Sequence, residues 1–190
     1  MTAARALPFL AAGGELGRLI GEHDWAAGPL GPLPAWSGPL RAATGILLQS
    51  PQPMLLWVGP ELVVLYNDAF AALGGRAHPA ALGRPGALGF ADVWPVVGSA
   101  VVRVLEGGTG TQVDDQPLVL HRGDAPEETN WTLAHSAVCG DDGEVLAVLT
   151  AAIETTGMPA AAASFSGPST SGVGMPALRM PSTFESIARL

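Results

Sequence analysis

The chain has 190 residues, about half of them apolar and 14% charged, with 25 glycines and 17 prolines, a composition that supports one globular domain with many turns plus a tail. It has no lysine, and its nine arginines face seventeen acids for a net charge of −8, so it lacks the clustered cations that a nucleic acid or an anionic membrane surface requires. No run of 18 apolar residues is present to span a bilayer, and the single Cys139 rules out an internal disulfide or a multi-cysteine metal site, which fits a reducing cytoplasm.

Residues 1–14 read as a flexible N-terminus, because their short apolar stretch is interrupted by Pro8 and preceded by one arginine, a poor signal peptide. Leu16, Leu19 and Ile20 then fall at helical spacing within residues 15–23. The Gly/Pro-rich stretch from Gly28 to Pro34 breaks that helix, and Ser37 offers an N-cap for a second one carrying Leu40, Thr44, Leu47 and Leu48. Together residues 15–52 form an N-terminal helical cap.

Residues 53–58 and 62–66 are short apolar runs separated by Gly59-Pro60 and read as a hairpin. Neither alternates apolar with polar, so the sheet is expected to be covered on both faces. Asn67 and Asp68 are good caps for a short helix, and residues 76–91 hold too many Gly, Pro and Ala breaks for more than short helical turns. Asp92 is positioned to cap a long helix in which Val93, Val97, Ala100, Val101, Val104 and Leu105 repeat at helical spacing until Gly107-Gly108 stops it.

Three further strands are expected near 111–121, 128–138 and 144–155, joined by turns at 123–126 and at Asp141-Asp142-Gly143. Two strands, a helical middle and three strands define an α+β fold with a five-stranded antiparallel sheet, helices on one face and the N-terminal helices on the other. Residues 53–156 form its core. From residue 157 to 190 the composition turns to Ala, Ser, Gly, Pro and Met without periodicity and reads as a disordered tail.

Several motifs together resemble the PAS sensor domains found at the N-termini of bacterial sensor histidine kinases. They are Gly14 to Ile20, His23-Asp24-Trp25, Pro29-Leu30-Gly31-Pro32, Trp36, the hairpin Trp57 to Leu62, Tyr66-Asn67-Asp68-Ala69-Phe70, His78 to Pro85, Val93-Trp94-Pro95, Pro126 to Thr129 and Glu154-Thr155-Thr156. The resemblance implies a PAS-like fold, a sensory role in two-component signalling, and a histidine kinase or response-regulator-type partner, with a homodimer as a further form. It does not imply kinase activity, because no phosphoacceptor histidine helix and no ATP-binding segment follow residue 156. A ligand-free dimerisation or scaffold module, and the truncated sensory end of a histidine kinase, are the alternative expectations.

Haem is disfavoured because the long helix lacks the histidine that haem-binding PAS domains use, and flavin photochemistry because Cys139 is not in an Asn-Cys-Arg helical segment. No two candidate ligands share a metal-site spacing. The acidic pairs Asp114-Asp115 and Asp141-Asp142 do not converge on a substrate, since neighbours on a strand point to opposite faces and turn residues point to water. What remains is a pocket for an unknown small molecule between the long helix and the sheet, with Leu56, Tyr66, Trp94, Val97, Val101, Trp131, Leu133 and His135 as its candidate lining and Tyr66 and His135 as its polar handles.

Overall fold

The computed structural model describes residues 7–73, 75–121 and 125–158. Five strands, β1 (Met54–Val58), β2 (Val63–Tyr66), β3 (Thr111–Leu120), β4 (Glu127–Cys139) and β5 (Val145–Glu154), form one antiparallel sheet in the order β2-β1-β5-β4-β3. This is the five-stranded α+β arrangement expected from the order of the elements. The first and last strands in sequence meet in the centre, where β1 lies between β2 and β5.

Helices cover both faces. α1 (Gly14–Glu22) and α2 (Gly38–Gln49) lie on one, where Leu16, Ile20, Leu40, Leu47 and Leu48 are buried with Trp25 and Trp36. Ser37 caps α2 as its sequence position predicts, its Oγ accepting from the Leu40 amide at 3.3 Å. A 3-10 turn at Pro8–Leu10 precedes α1, and Phe9 and Leu10 pack against this core rather than fraying as a flexible N-terminus would. The tail beyond residue 158 lies outside the described residues.

The other face carries α3 (Asp68–Ala71), α4 (Gly86–Gly89) and α5 (Trp94–Gly107). α5 ends where expected, with Gly108 in the left-handed conformation at φ +66° and its amide on the Val104 carbonyl. Its start differs from the sequence reading. Val93, not Asp92, occupies the N-cap and makes no side-chain cap, because the Asp92 carboxylate instead pairs with His121 Nδ1 at 3.0 Å beyond the end of β3.

Both sheet edges are managed. The segment after residue 82 runs along β2, with Val64 N–H donating to the Arg84 carbonyl at 2.9 Å and Gly83 N–H to the Val64 carbonyl at 3.0 Å, so that edge offers little free backbone. β3 is the opposite edge and tolerates Pro117, which a central strand would not. It is also bulged between Val113 and Gln116. Asp115 takes φ +53° there and accepts from Thr155 Oγ1 at 3.2 Å, so the Asp114-Asp115 pair serves a bulge rather than two faces of a regular strand.

Candidate functional site: a cavity on the inner face of the sheet

A cavity of about 300 Å³ lies between the sheet and the α3–α5 side. The sheet supplies Leu55 and Trp57 from β1, Thr150 and Ala152 from β5, Trp131, Leu133 and His135 from β4, and Leu118 and Leu120 from β3. These side chains share a face because the ladders set Leu55 opposite Thr150, His135 opposite Thr150, and Leu133 opposite Ala152. The helical side supplies Phe70, Leu73, Ala77, the run from Leu88 to Val93, and Val97 of α5. Arg76, Asp92 and His121 give one end of the wall a polar character, and Leu88, 47% exposed, marks a way in from solvent.

Four of the eight candidate side chains, Val97, Trp131, Leu133 and His135, line this cavity, and four do not. Leu56 stands between Leu55 and Trp57 on the strand, so pleating turns it to the opposite face, where it is fully buried on the side of the N-terminal helices. Tyr66 shares the cavity face, opposite Leu55, but is packed behind Phe70 and Phe90, with ring centroids 5.8 and 6.3 Å away. Its hydroxyl is 3.1 Å from His78 Nδ1, and burial, reinforced by the Glu15 carboxylate, pushes its pKa up to about 12. Trp94 lies against Trp57 at 5.8 Å and over Gly98, and Val101 is buried a turn further along α5 in the main core.

Among the polar wall groups, the centre is a relay. Trp57 Nε1 donates to Thr150 Oγ1 at 2.8 Å, and Thr150 Oγ1 lies 2.8 Å from His135 Nδ1. All three residues are at most 3% exposed. His135 Nε2 is buried and has no hydrogen-bond partner among the described residues, as does Thr111 Oγ1 on the neighbouring strand. Burial, with Arg103 adding repulsion, lowers the His135 pKa to about 4, so the imidazole is neutral at physiological pH.

Thr150 escapes a reading of the sequence because a threonine in an apolar run looks like ordinary strand propensity. The register carries the signal. His135 and Thr150 lie equally far from the Asp142-Gly143 pair, and treating that pair as the turn places them opposite one another, as observed. The aromatic contributions of Phe70 and Phe90 escape it too, because the irregular middle of the chain has no period to read.

Hydrogen bonds tie the start of α3, beside the cavity, to the N-terminal helices. Asn67, 1% exposed, accepts from the Met54 and Phe70 amides at 3.1 and 2.9 Å through Oδ1 and donates through Nδ2 to the carbonyls of Leu47, Ser50 and Gln52. Asp68 accepts from the Glu15 and Leu16 amides at 3.0 and 2.8 Å, serving as the cap of α1 from another helix. The residues that fix the cap thus flank Phe70 in the cavity wall.

Cys139 is exposed at the end of β4 and is not part of the wall. Among the described residues no group of three or more His, Cys, Asp or Glu side chains is placed to hold a metal, and no helix is long and apolar enough to cross a membrane.

This architecture is that of a PAS-like α+β domain. Neither a protein-family model nor a curated protein matches the chain. Among solved structures it is similar to the light-oxygen-voltage (LOV) protein of Rhodobacter sphaeroides, with TM-score 0.50 and 20% identity over 66% of this chain and 70% of that one. A LOV domain studied with a flavin analogue aligns with TM-score 0.46 and 21% identity over 61% of this chain and 86% of that one. A sensory box sensor histidine kinase from Vibrio cholerae aligns with TM-score 0.43 and 9% identity over 55% of this chain and 82% of that one. At these identities the likeness concerns the fold.

Proposed function

We propose that the chain is a PAS-type sensory module that binds a small molecule in the cavity on the inner face of its sheet and passes the occupied state to a histidine kinase or response-regulator-type partner. In this reading residues 53–156 are the sensing core, residues 15–52 the element that relays the change, and residues 157–190 a tail. The observation that carries it is a buried polar group, the Trp57–Thr150–His135 relay, set in an otherwise largely apolar wall of ligand size. A core built only for packing gains nothing from a buried nitrogen without a partner, which costs stability.

The route out of the cavity is short. A ligand that pushes on Phe70 acts on α3, whose first residues hold the α1 amides and the end of α2. A bound state differing in the position of α3 therefore differs in how the N-terminal helices sit, which is the differential interaction that a ligand-driven population shift requires.

The test is native mass spectrometry of the purified full chain beside a variant with the cavity filled, Ala152→Phe. The expected result is a small-molecule adduct, retained from the expression host or gained from an added metabolite library, on the unmodified chain and absent from a folded variant. An unmodified chain that takes up nothing, or a filled variant that binds as well, overturns the proposal.

A further inference from the structure

The relay also specifies the chemistry of the ligand, an inference that rests on reading the cavity as the sensory site. An indole N–H can only donate, so the bond from Trp57 uses Thr150 Oγ1 as acceptor and leaves the hydroxyl proton to be given away. The one other partner of Thr150 Oγ1 among the described residues is His135 Nδ1. A second lone pair on Thr150 Oγ1 would let it accept from an Nδ1–H as well, but that would strand its own proton; donation to Nδ1 leaves fewer groups unpaired, and in a neutral imidazole the ring proton then sits on Nε2. The Nε2–H is a buried donor for which the protein supplies no acceptor among the described residues.

A buried N–H of this kind, in a wall that a ligand can reach, calls for a hydrogen-bond acceptor on the ligand, and a carbonyl oxygen meets that requirement. A carboxylate is the poorer fit at His135, because the cation in the wall, Arg76, stands at the polar end beside His121, and burying a charge elsewhere on the largely apolar wall is costly. The cavity, at about 300 Å³, stands at the low end of the roughly 300–1,000 Å³ of small-molecule sites, which suits a compact ligand such as a single aromatic ring bearing a short side chain.

We propose that the cavity takes an uncharged, otherwise apolar carbonyl compound whose oxygen accepts a hydrogen bond from His135 Nε2. Trp57 and Thr150 fix the imidazole so that it presents a donor, and the apolar wall, including Trp131 and Leu133, encloses the rest of the molecule.

Acetophenone and ethylbenzene test this directly, because they have nearly the same shape and differ in the carbonyl. Titrated into the full chain and followed by calorimetry and saturation-transfer NMR, acetophenone is expected to bind about tenfold more tightly, or ~1.4 kcal/mol, with the preference falling to within about twofold in His135→Phe. Equal binding of the two compounds by the unmodified chain overturns the carbonyl assignment and leaves the cavity standing as a ligand site. Binding of neither overturns the carbonyl assignment, while the sensory reading is decided separately by the adduct experiment on the full chain.

Should His135→Phe fail to fold, ¹⁵N spectra of the histidine rings in the unmodified chain decide the matter. The expected outcome is the Nε2–H form of His135, with its Nε2 resonance moving on addition of acetophenone and not of ethylbenzene. An Nδ1–H ring, or a resonance that acetophenone leaves in place because a trapped water already satisfies it, overturns the assignment.

Discussion

Asp68 caps a helix to which it does not belong: its carboxylate accepts from the amide of Leu16 at 2.8 Å, more than fifty residues back along the chain, and from the adjoining Glu15 amide at 3.0 Å. The first helix of the N-terminal cap therefore depends on a short helix whose other side, at Phe70, borders the cavity. Gly14 makes the contact feasible. Its φ of +57° places it in the left-handed region, and a Cβ there would run into Asp68 Oδ2.

Asp68→Ala is accordingly expected to destabilise the domain by about 1 kcal/mol, the usual worth of a lost N-cap. Its local effect is larger than its global one. Amide hydrogen exchange at Glu15 and Leu16 should accelerate well beyond that of β4, and exchange that rises uniformly across the domain would show that Asp68 does not anchor α1.

Asn67→Ala is expected to cost more, about 3 kcal/mol, because the amide is buried and its removal strands partners in α2, the connection to β1, β1 itself and α3 at once. Urea unfolding measures it. A loss below about 1 kcal/mol, the net worth of one ordinary hydrogen bond, would mean that the carbonyls and amides around it find other partners.

The two residues also show what the sequence could and could not disclose. Asn67 and Asp68 are readable as caps, because both residue types favour that role and a helix follows. The second helix each of them serves cannot be read locally, since it comes from a distant segment brought close by the fold. The same division applies to the cavity. Val97 is found by the period of α5, whereas the face of β1 is hidden by its unbroken apolar run, Met54-Leu55-Leu56-Trp57-Val58, in which no polar residue marks an outside. Leu56 is for that reason as good a cavity candidate in the sequence as its neighbours, yet it lies on the opposite face. Asp92 directly precedes the periodic residues of α5 and so reads as their cap; its pairing with His121 depends on where β3 ends, which no local pattern encodes.

Gly86 carries a prediction about the aromatic wall. A Cβ at this position would lie 2.7 Å from the ring of Trp57 and 2.9 Å from that of Trp94, and both rings are held by neighbours rather than free to swing. Gly86→Ala is expected to cost about 2 kcal/mol by overpacking and to lower Tm by roughly 6 °C. It should also shift tryptophan fluorescence, because moving Trp57 disturbs its bond to Thr150. Unchanged emission and Tm would show that the rings can yield without cost.

The neutral histidine makes stability depend on pH in a direction that can be derived. In the unfolded chain His135 has its ordinary value of 6.5, while in the folded chain burial, with Arg103, lowers it to about 4. Between those values the unfolded chain binds a proton that the folded chain does not, so acidification favours unfolding. The contribution is fully present above about pH 6.5 and is lost progressively as the pH falls towards 4. At ~1.4 kcal/mol for each pH unit separating the two values, the loss reaches about 3 kcal/mol. Other groups titrate in the same range, so the comparison is made with His135→Gln, which keeps a polar side chain and removes the titration. Urea unfolding at pH 7, 6, 5 and 4.5 should show the unmodified chain losing stability more steeply than the variant, with the excess slope approaching ~1.4 kcal/mol per pH unit near the middle of the window. Parallel curves for the two chains would mean that His135 takes up its proton as readily folded as unfolded, so that burial does not hold the ring neutral through this range.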